Sequence, residues 1–234
     1  MLGIFISGLK KQSGKTLVAA GLAGTLQSLS YSTSYYKPVQ TGASLINNDE
    51  EFIKKFDPNI KTYTSYKFNS PSSPLISAYE EGVKKVDKSK IILDYRNNAQ
   101  LTECRIAEGS NSISSPIDTK LTECGIVSTL GLPVVLVLNP ITTKIEDAIS
   151  GINYIYSSRV HLLGVIINEY NENTQNLEHK YFPQLVKEYT SARILGTLPH
   201  YDDFENLNAG VLISDTLNRL NIEDIFGIRI AKLT

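Results

Sequence analysis

Gly8-Leu9-Lys10-Lys11-Gln12-Ser13-Gly14-Lys15-Thr16 follows an apolar run, Leu2 to Ile6, that has the length of a buried strand. The stretch reads as a phosphate-binding loop. Glycines at both ends let the backbone turn tightly while its N–H groups point inward and cradle phosphates. Lys15 supplies charge and Thr16 a hydroxyl for Mg²⁺, and Leu17-Val18-Ala19-Ala20 opens a helix whose N-terminal dipole favours the same anion. Five residues separate Gly8 from Gly14, one more than in the common form of the motif. Because the loop follows a strand and opens a helix, nucleotide binding is the expectation.

The rest of the chain sets bounds on that reading. At 234 residues with 41% hydrophobic content, the sequence is long enough for one well-buried α/β domain spanning 1–234. A net charge of −1 and a pI near 6.3 give no broad electrostatic footprint for nucleic acid or an anionic membrane, so small polar substrates are expected. Cys104 and Cys124 can make neither a disulfide framework nor a four-ligand zinc site, which suits a reducing cytoplasm. No segment approaches the roughly 20 apolar residues of a membrane helix. Leu2 to Ile6 is read as part of the fold and not as a secretion signal, because its lysines follow the apolar part.

Taken in order, the pattern predicts a helix over about 15–28 and a strand over Tyr35 to Val39 that ends at Gln40-Thr41-Gly42, with Lys37 at its C-terminal end. Asn47-Asn48-Asp49-Glu50-Glu51 starts a short helix through about Phe56, and Ser70 to Pro74 starts another ending near Gly82, with a Tyr/Lys/Ser-rich loop between. A helix over 88–97 precedes a short strand, Cys104 to Glu108. Leu132 to Leu138 and Leu162 to Ile167 are strongly apolar strands flanked by helices. Continuous apolar runs alternating with helices predict a doubly wound, mostly parallel sheet covered on both faces. The tetrapeptide Leu-Thr-Glu-Cys recurs at Leu101 and Leu121, read as a strand lead-in and as helix.

Chemistry at the phosphate loop calls for carboxylates near Thr16, since Mg²⁺ on nucleotide phosphates takes one or two of them and keeps water for the rest. Glu108, at a strand end, and Asp49 are the candidates. Asp49 also reads as ordinary helix-start chemistry. Lys37 is placed near the phosphates by the rule that open parallel sheets bind ligands at the C-terminal ends of their strands. Lys10 and Lys11 either add charge at the transferring phosphoryl group or sit in solvent. His161, His179 and His200 show no metal-ligand spacing, and none is given a catalytic role.

Together these blocks resemble the dethiobiotin synthetases, ATP-dependent cyclo-ligases of biotin synthesis. The long loop ending Gly14-Lys15-Thr16, Tyr36-Lys37-Pro38-Val39 with Thr41-Gly42, Asn48-Asp49, and Ser73-Pro74-Leu75-Ile76-Ser77-Ala78 match the family in order. So do Glu108-Gly109 with Pro116, Gly131-Leu132-Pro133-Val134, Asn168 and Gly196-Thr197-Leu198-Pro199. The resemblance implies a carbamate built on 7,8-diaminononanoate from CO₂, its phosphorylation by ATP, and ring closure by the second amine. It implies catalytic roles for Lys15 and Lys37, and Mg²⁺ held by Thr16, Asp49 and Glu108. ATP would be bound by Gln12, Ser13, Gly14, Lys15, Thr16, Leu17, Glu108, Asn168, Leu198 and Pro199. Substrate would be bound by Lys11, Lys37, Thr41 and Gly109. A homodimer is implied as well.

Two departures stand out. Ser110-Asn111-Ser112 replaces a Gly-rich stretch, and Thr142-Thr143-Lys144-Ile145-Glu146-Asp147 lacks the family's Gly-x-x-Asn-His helix opening, so a substrate carboxylate there would meet acidic side chains. Three alternatives follow: a phosphate-loop amide ligase on another acid, a switch or partitioning ATPase of the same fold group, and a relative that binds nucleotide without catalysis.

Overall fold

The computed structural model describes residues 2–43, 48–99, 101–204 and 206–230. In order, the elements begin with β1 (Leu2–Gly8), α1 (Lys15–Ser28), β2 (Thr33–Thr41), α2 (Asp49–Phe56) and β3 (Lys61–Phe68). Next come α3 (Pro74–Glu80), α4 (Lys88–Ala99), β4 (Cys104–Glu108), β5 (Pro116–Asp118) and β6 (Leu121–Thr122). The chain continues through α5 (Glu123–Leu130), β7 (Val134–Leu138), α6 (Ile145–Ser157) and β8 (Leu162–Ile167). It ends with α7 (Leu177–Thr190), β9 (Ile194–Thr197), α8 (Ala209–Arg219) and α9 (Ile222–Phe226). Seven strands form one sheet in the order β3-β2-β4-β1-β7-β8-β9, every pairing parallel, and β5 and β6 make a separate antiparallel ribbon. This is the doubly wound sheet that the apolar runs predicted.

Alternation along the strands divides the core between two faces. Ile4 and Ile6 of β1 pack with α1, α8 and α9 on one side, whereas Phe5 packs with residues of α4, α5, α6 and α7 on the other. Winding runs outward from β1 to β2 and β3, returns to β4, then crosses to β7, β8 and β9. That reversal opens a crevice at the C-terminal ends of the central strands, where such sheets bind ligands.

Several expectations need correction. The Tyr/Lys/Ser-rich segment is strand β3, paired with β2 from Ser34↔Lys61 to Thr41↔Phe68. It is an edge strand with little burial, so its β-branched and aromatic content carries the signal while polar spacing hides it. Strand β2 runs on to Thr41, so Lys37 lies in mid-strand and not at its end. Pro38 is tolerated there because β4 pairs with β2 only as far as Tyr36. The second Leu-Thr-Glu-Cys begins as strand β6, with α5 starting at Glu123, and the strand expected from Leu132 starts at Val134. At the start of α2, Asn48 is the N-cap and accepts from the Glu50 N–H; Asn47 lies outside the described residues. The last segment packs through Ile222, Ile225, Phe226 and Ile228 of the core, and its final residues 231–234 lie outside the described residues. Both cysteines are free and buried. Among the described residues no helix is long and apolar enough to cross a membrane.

Candidate active site

A cavity of about 720 Å³ opens at the C-terminal edge of the sheet, and the phosphate loop forms its floor. Gly14 takes φ +92°, and a side chain there would strike the Asn168 amide at 2.1 Å, so both conformation and space require glycine. Gln12 also has positive φ, 63°, and lines the cavity with Gly14, Lys15, Thr16 and Leu17. Lys15 is buried, and its ammonium donates to the carbonyls of Lys10 (3.2 Å) and Asn111 (2.9 Å). Burial lowers the Lys15 ammonium below its ordinary value, opposed by the nearby Glu108 and Glu123 carboxylates. Ser13 is wholly buried behind the loop, and its carbonyl accepts from the Asn168 amide at 3.3 Å.

Beside the loop lies a compact ionic cluster. Thr16 Oγ1 donates to Glu108 Oε1 at 2.9 Å and lies 3.4 Å from Asp49 Oδ1, and Tyr35 donates to Glu108 Oε2 at 2.9 Å. Lys37, 4% exposed, reaches the cluster from mid-strand and pairs with Glu108 (3.0 Å) and Asp49. Burial alone would pull the Lys37 ammonium down, but the Glu108 and Asp49 carboxylates outweigh it and hold it above the ordinary lysine value. A hydroxyl and two carboxylates converging from three elements are hard oxygen donors of the kind Mg²⁺ takes, and the set fits that ion.

The far end of the cavity carries groups that sequence reasoning missed. Glu169, with φ 61°, pairs with His200 Nδ1 at 2.5 Å, and Asp202 lies 3.4 Å from the other ring nitrogen. The hydrogen bond that the Glu169 carboxylate accepts from the ring, together with its charge, raises the His200 imidazole above its usual value. Phe52 and Phe204 stack at 4.4 Å with 7° between planes, and both line the wall with Tyr201. Asn168 stands there too, its Oδ1 buried without a partner among the described residues. The only sequence cue was that His200 directly follows Leu198-Pro199.

The cavity brings together Gln12, Gly14, Lys15, Thr16, Leu17, Lys11, Lys37, Thr41, Asp49, Glu108 and Asn168 of the residues singled out in the sequence. It does not include Ser13, Gly109, Leu198 or Pro199. Leu198 packs into the core, and His200 and Tyr201 take the wall instead. Gly109 backs onto Glu123, whose carboxylate would lie 1.9 Å from any side chain added there. Lys10 turns away from the cavity, donating to the Thr142 carbonyl (2.8 Å) and pairing with Asp147 (2.7 Å), while Lys11 stays on the wall and reaches the Pro71 carbonyl at 3.2 Å.

Comparisons with known proteins bear on the family and the fold. A family model described as an AAA domain (AAA_26) matches residues 2–208. The chain belongs to this AAA domain family. The chain is similar to the ATP-dependent dethiobiotin synthetase BioD of Bacillus subtilis (strain 168), 24% identical over 93% of this chain and 96% of that protein. It is likewise similar to the ATP-dependent dethiobiotin synthetase BioD of Clostridium perfringens (strain 13 / Type A), 27% identical over 97% and 99%. Among solved structures, a chain of the MinC:MinD cell division protein complex of Aquifex aeolicus superposes with TM-score 0.64 at 14% identity, covering 100% of this chain and 99% of that one. Apo McdA of Cyanothece superposes with TM-score 0.61 at 15% identity, covering 97% of each. At such identities the structural likeness carries the fold alone.

Proposed function

We propose that this family member is an ATP- and Mg²⁺-dependent carbon–nitrogen ligase of the dethiobiotin synthetase type, acting on 7,8-diaminononanoate. The observation that carries the reading is Lys37, an ammonium buried in mid-strand beside the Thr16, Asp49 and Glu108 oxygens and open to the same cavity as Lys15. A nucleotide-binding loop alone needs no second buried lysine there.

In this reading one amine of the substrate adds CO₂, loses a proton and becomes a carbamate. A carbamate oxygen attacks the γ-phosphorus, and the bond to the bridging oxygen breaks to release ADP. The second amine then attacks the carbamoyl carbon, phosphate leaves, and the ureido ring closes with loss of a proton. Lys15 neutralises charge on the β- and γ-phosphates, and Lys37 holds the carbamate and the charge that develops on it. Thr16, Asp49 and Glu108 would hold Mg²⁺, which supplies charge neutralisation on the phosphates. Asn168 and the wall of Phe52, Tyr201 and Phe204 offer an amide and apolar faces to the base. Phosphoryl transfer asks mainly for positioning and charge, so no histidine need act as a base. One domain, a homodimer and a cytoplasmic setting complete the reading.

A second reading, a ligase of the same type acting on another acid, is favoured by the start of α6. Glu146 and Asp147 occupy its first turn, and Asp147 is already paired with Lys10. Incubation of the purified protein with 7,8-diaminononanoate, bicarbonate, ATP and Mg²⁺ separates the two, with dethiobiotin followed by mass and phosphate counted. Equal amounts of both support the first reading, and phosphate without product moves the assignment to another acid.

A further inference from the structure

Glu123 is a buried carboxylate that the reaction above does not use. It is 1% exposed at the first position of α5, directly beneath the loop that follows β4. Its Oε1 accepts from the Ser7 hydroxyl at 2.5 Å, and its Oε2 accepts from the Ser110 N–H at 2.9 Å. The Ser110 amide thus points down at the carboxylate, and the carbonyl of the next residue, Asn111, accepts from the Lys15 ammonium at 2.9 Å. The missing side chain of Gly109 makes room for this arrangement, since a Cβ would overlap the Glu123 carboxylate. The departure at Ser110-Asn111-Ser112 therefore has a structural counterpart: the loop is fixed from below by an acid.

We propose that Glu123 is a positioning residue for Lys15, acting through the Gly109–Asn111 loop. A lysine ammonium has three N–H donors in tetrahedral array. Among the described residues, the Lys10 and Asn111 carbonyls hold two of them, so the third is aimed along the remaining direction, into the cavity that Lys15 lines. A flexible four-carbon stem would otherwise sample many rotamers, and fixing it before the phosphates arrive removes that ordering from the binding step. Glutamine in place of Glu123 keeps the volume but removes the charge: its NH₂ group can turn to the Ser7 hydroxyl, which accepts as well as donates, and the Ser110 N–H keeps only an uncharged and weaker acceptor, so the loop is held less firmly. Aspartate keeps both acceptors on a stem one methylene shorter and so preserves part of the arrangement. The proposal rests on the phosphate-loop reading but not on the identity of the acid substrate.

The test is a double-mutant cycle on ATP affinity, measured by equilibrium titration with Mg²⁺, with thermal melting of each variant as a check of folding. Glu123→Gln is expected to weaken ATP binding about tenfold and Glu123→Asp less, while in a Lys15→Met background Glu123→Gln has no further effect. Additive losses in the two backgrounds, or a lowered melting temperature with unchanged ATP affinity, would show that Glu123 only supports the fold and overturn the proposal. Wild-type protein that binds no ATP would instead remove the phosphate-loop reading, an outcome recognisable without any variant.

Discussion

Strand β4 carries two buried charges three residues apart, and the fold treats them differently. Glu108, 0% exposed at the C-terminal end, receives hydrogen bonds from Thr16, Lys37 and Tyr35. Arg105, 7% exposed near the other end, has one long contact, Nη1 to the Tyr95 hydroxyl at 3.4 Å, and lies 5.6 Å from that ring's centroid. Its Nε and Nη2 are buried without partners among the described residues. A buried charge is stable only when its lost hydration is replaced, so the contrast separates a site built for charge from a position that merely tolerates it. Open parallel sheets bind ligands at the C-terminal edge, and that is the edge at which the buried charge of β4 is fully partnered.

The largest expected effect breaks the functional end at its floor. Lys15→Ala should lower ATP-dependent phosphate release by on the order of 10³-fold, since it removes a charge-assisted donor aimed at the phosphates. Wild-type rates in that variant would end the phosphate-loop assignment.

Lys37→Ala probes the partnering itself. It leaves the Glu108 and Asp49 carboxylates facing each other without their cation, and breaking a buried pair in this way costs about 3–5 kcal/mol. The variant should melt well below wild type without metal and gain more from added Mg²⁺ than wild type does, while product formation falls by roughly 10²-fold or more. The pH dependence is specific. Because the folded-state value of Lys37 is raised, its contribution is fully present below the unfolded lysine value of about 10.4 and is lost only as pH rises through the higher folded value. The stability gap between variant and wild type should stay constant from pH 7 to 9 and narrow only in strong alkali. Unchanged melting and unchanged turnover would make Lys37 an ordinary strand lysine.

Legibility in the sequence follows the same contrast. The apolar strands of the inner sheet and the phosphate loop were readable because each is local: a continuous run of apolar residues, or nine residues of fixed chemistry. Lys37, Asp49 and Glu108 were readable as candidates because strand ends and helix starts are local too, although Lys37 reaches the site from mid-strand. Edge strand β3 was missed, since one-sided pairing lets polar residues interrupt the pattern. Glu123, Arg105 and the Glu169–His200 pair were not readable at all. Each matters through a partner 10 or more residues away, such as Ser7 for Glu123 or Tyr95 for Arg105, and no spacing rule links them.

Arg105→Leu sharpens the comparison from the other end. Two unpaired buried donors cost about 1–3 kcal/mol each, while the lost ring contact is worth roughly 0.5–1 kcal/mol. The variant should be at least as stable as wild type, with a melting temperature higher by a few degrees in a thermal scan and no change in nucleotide binding. A clear fall in stability would mean that the guanidinium is better partnered than its neighbours indicate, and the two ends of β4 would then differ less than their contacts suggest.

The smallest effect tests whether full partnering at the C-terminal edge extends to its exposed rim. His200 is 58% exposed at its side chain, faces Glu169 and Asp202, and has its imidazole raised chiefly by the Glu169 hydrogen bond. A raised folded value stabilises the protein fully below the unfolded histidine value of about 6.5, and that contribution is lost as pH climbs through the folded value. Solvent screening keeps the amount small, so the informative readout is the ring itself and not the melting curve. An NMR titration of the His200 ring should give a midpoint above the ordinary histidine value in wild type and a lower one in Glu169→Gln. If both proteins titrate alike, the pair is a surface encounter screened by water, and the tight partnering of charges belongs to the buried floor of the cavity and stops short of its rim.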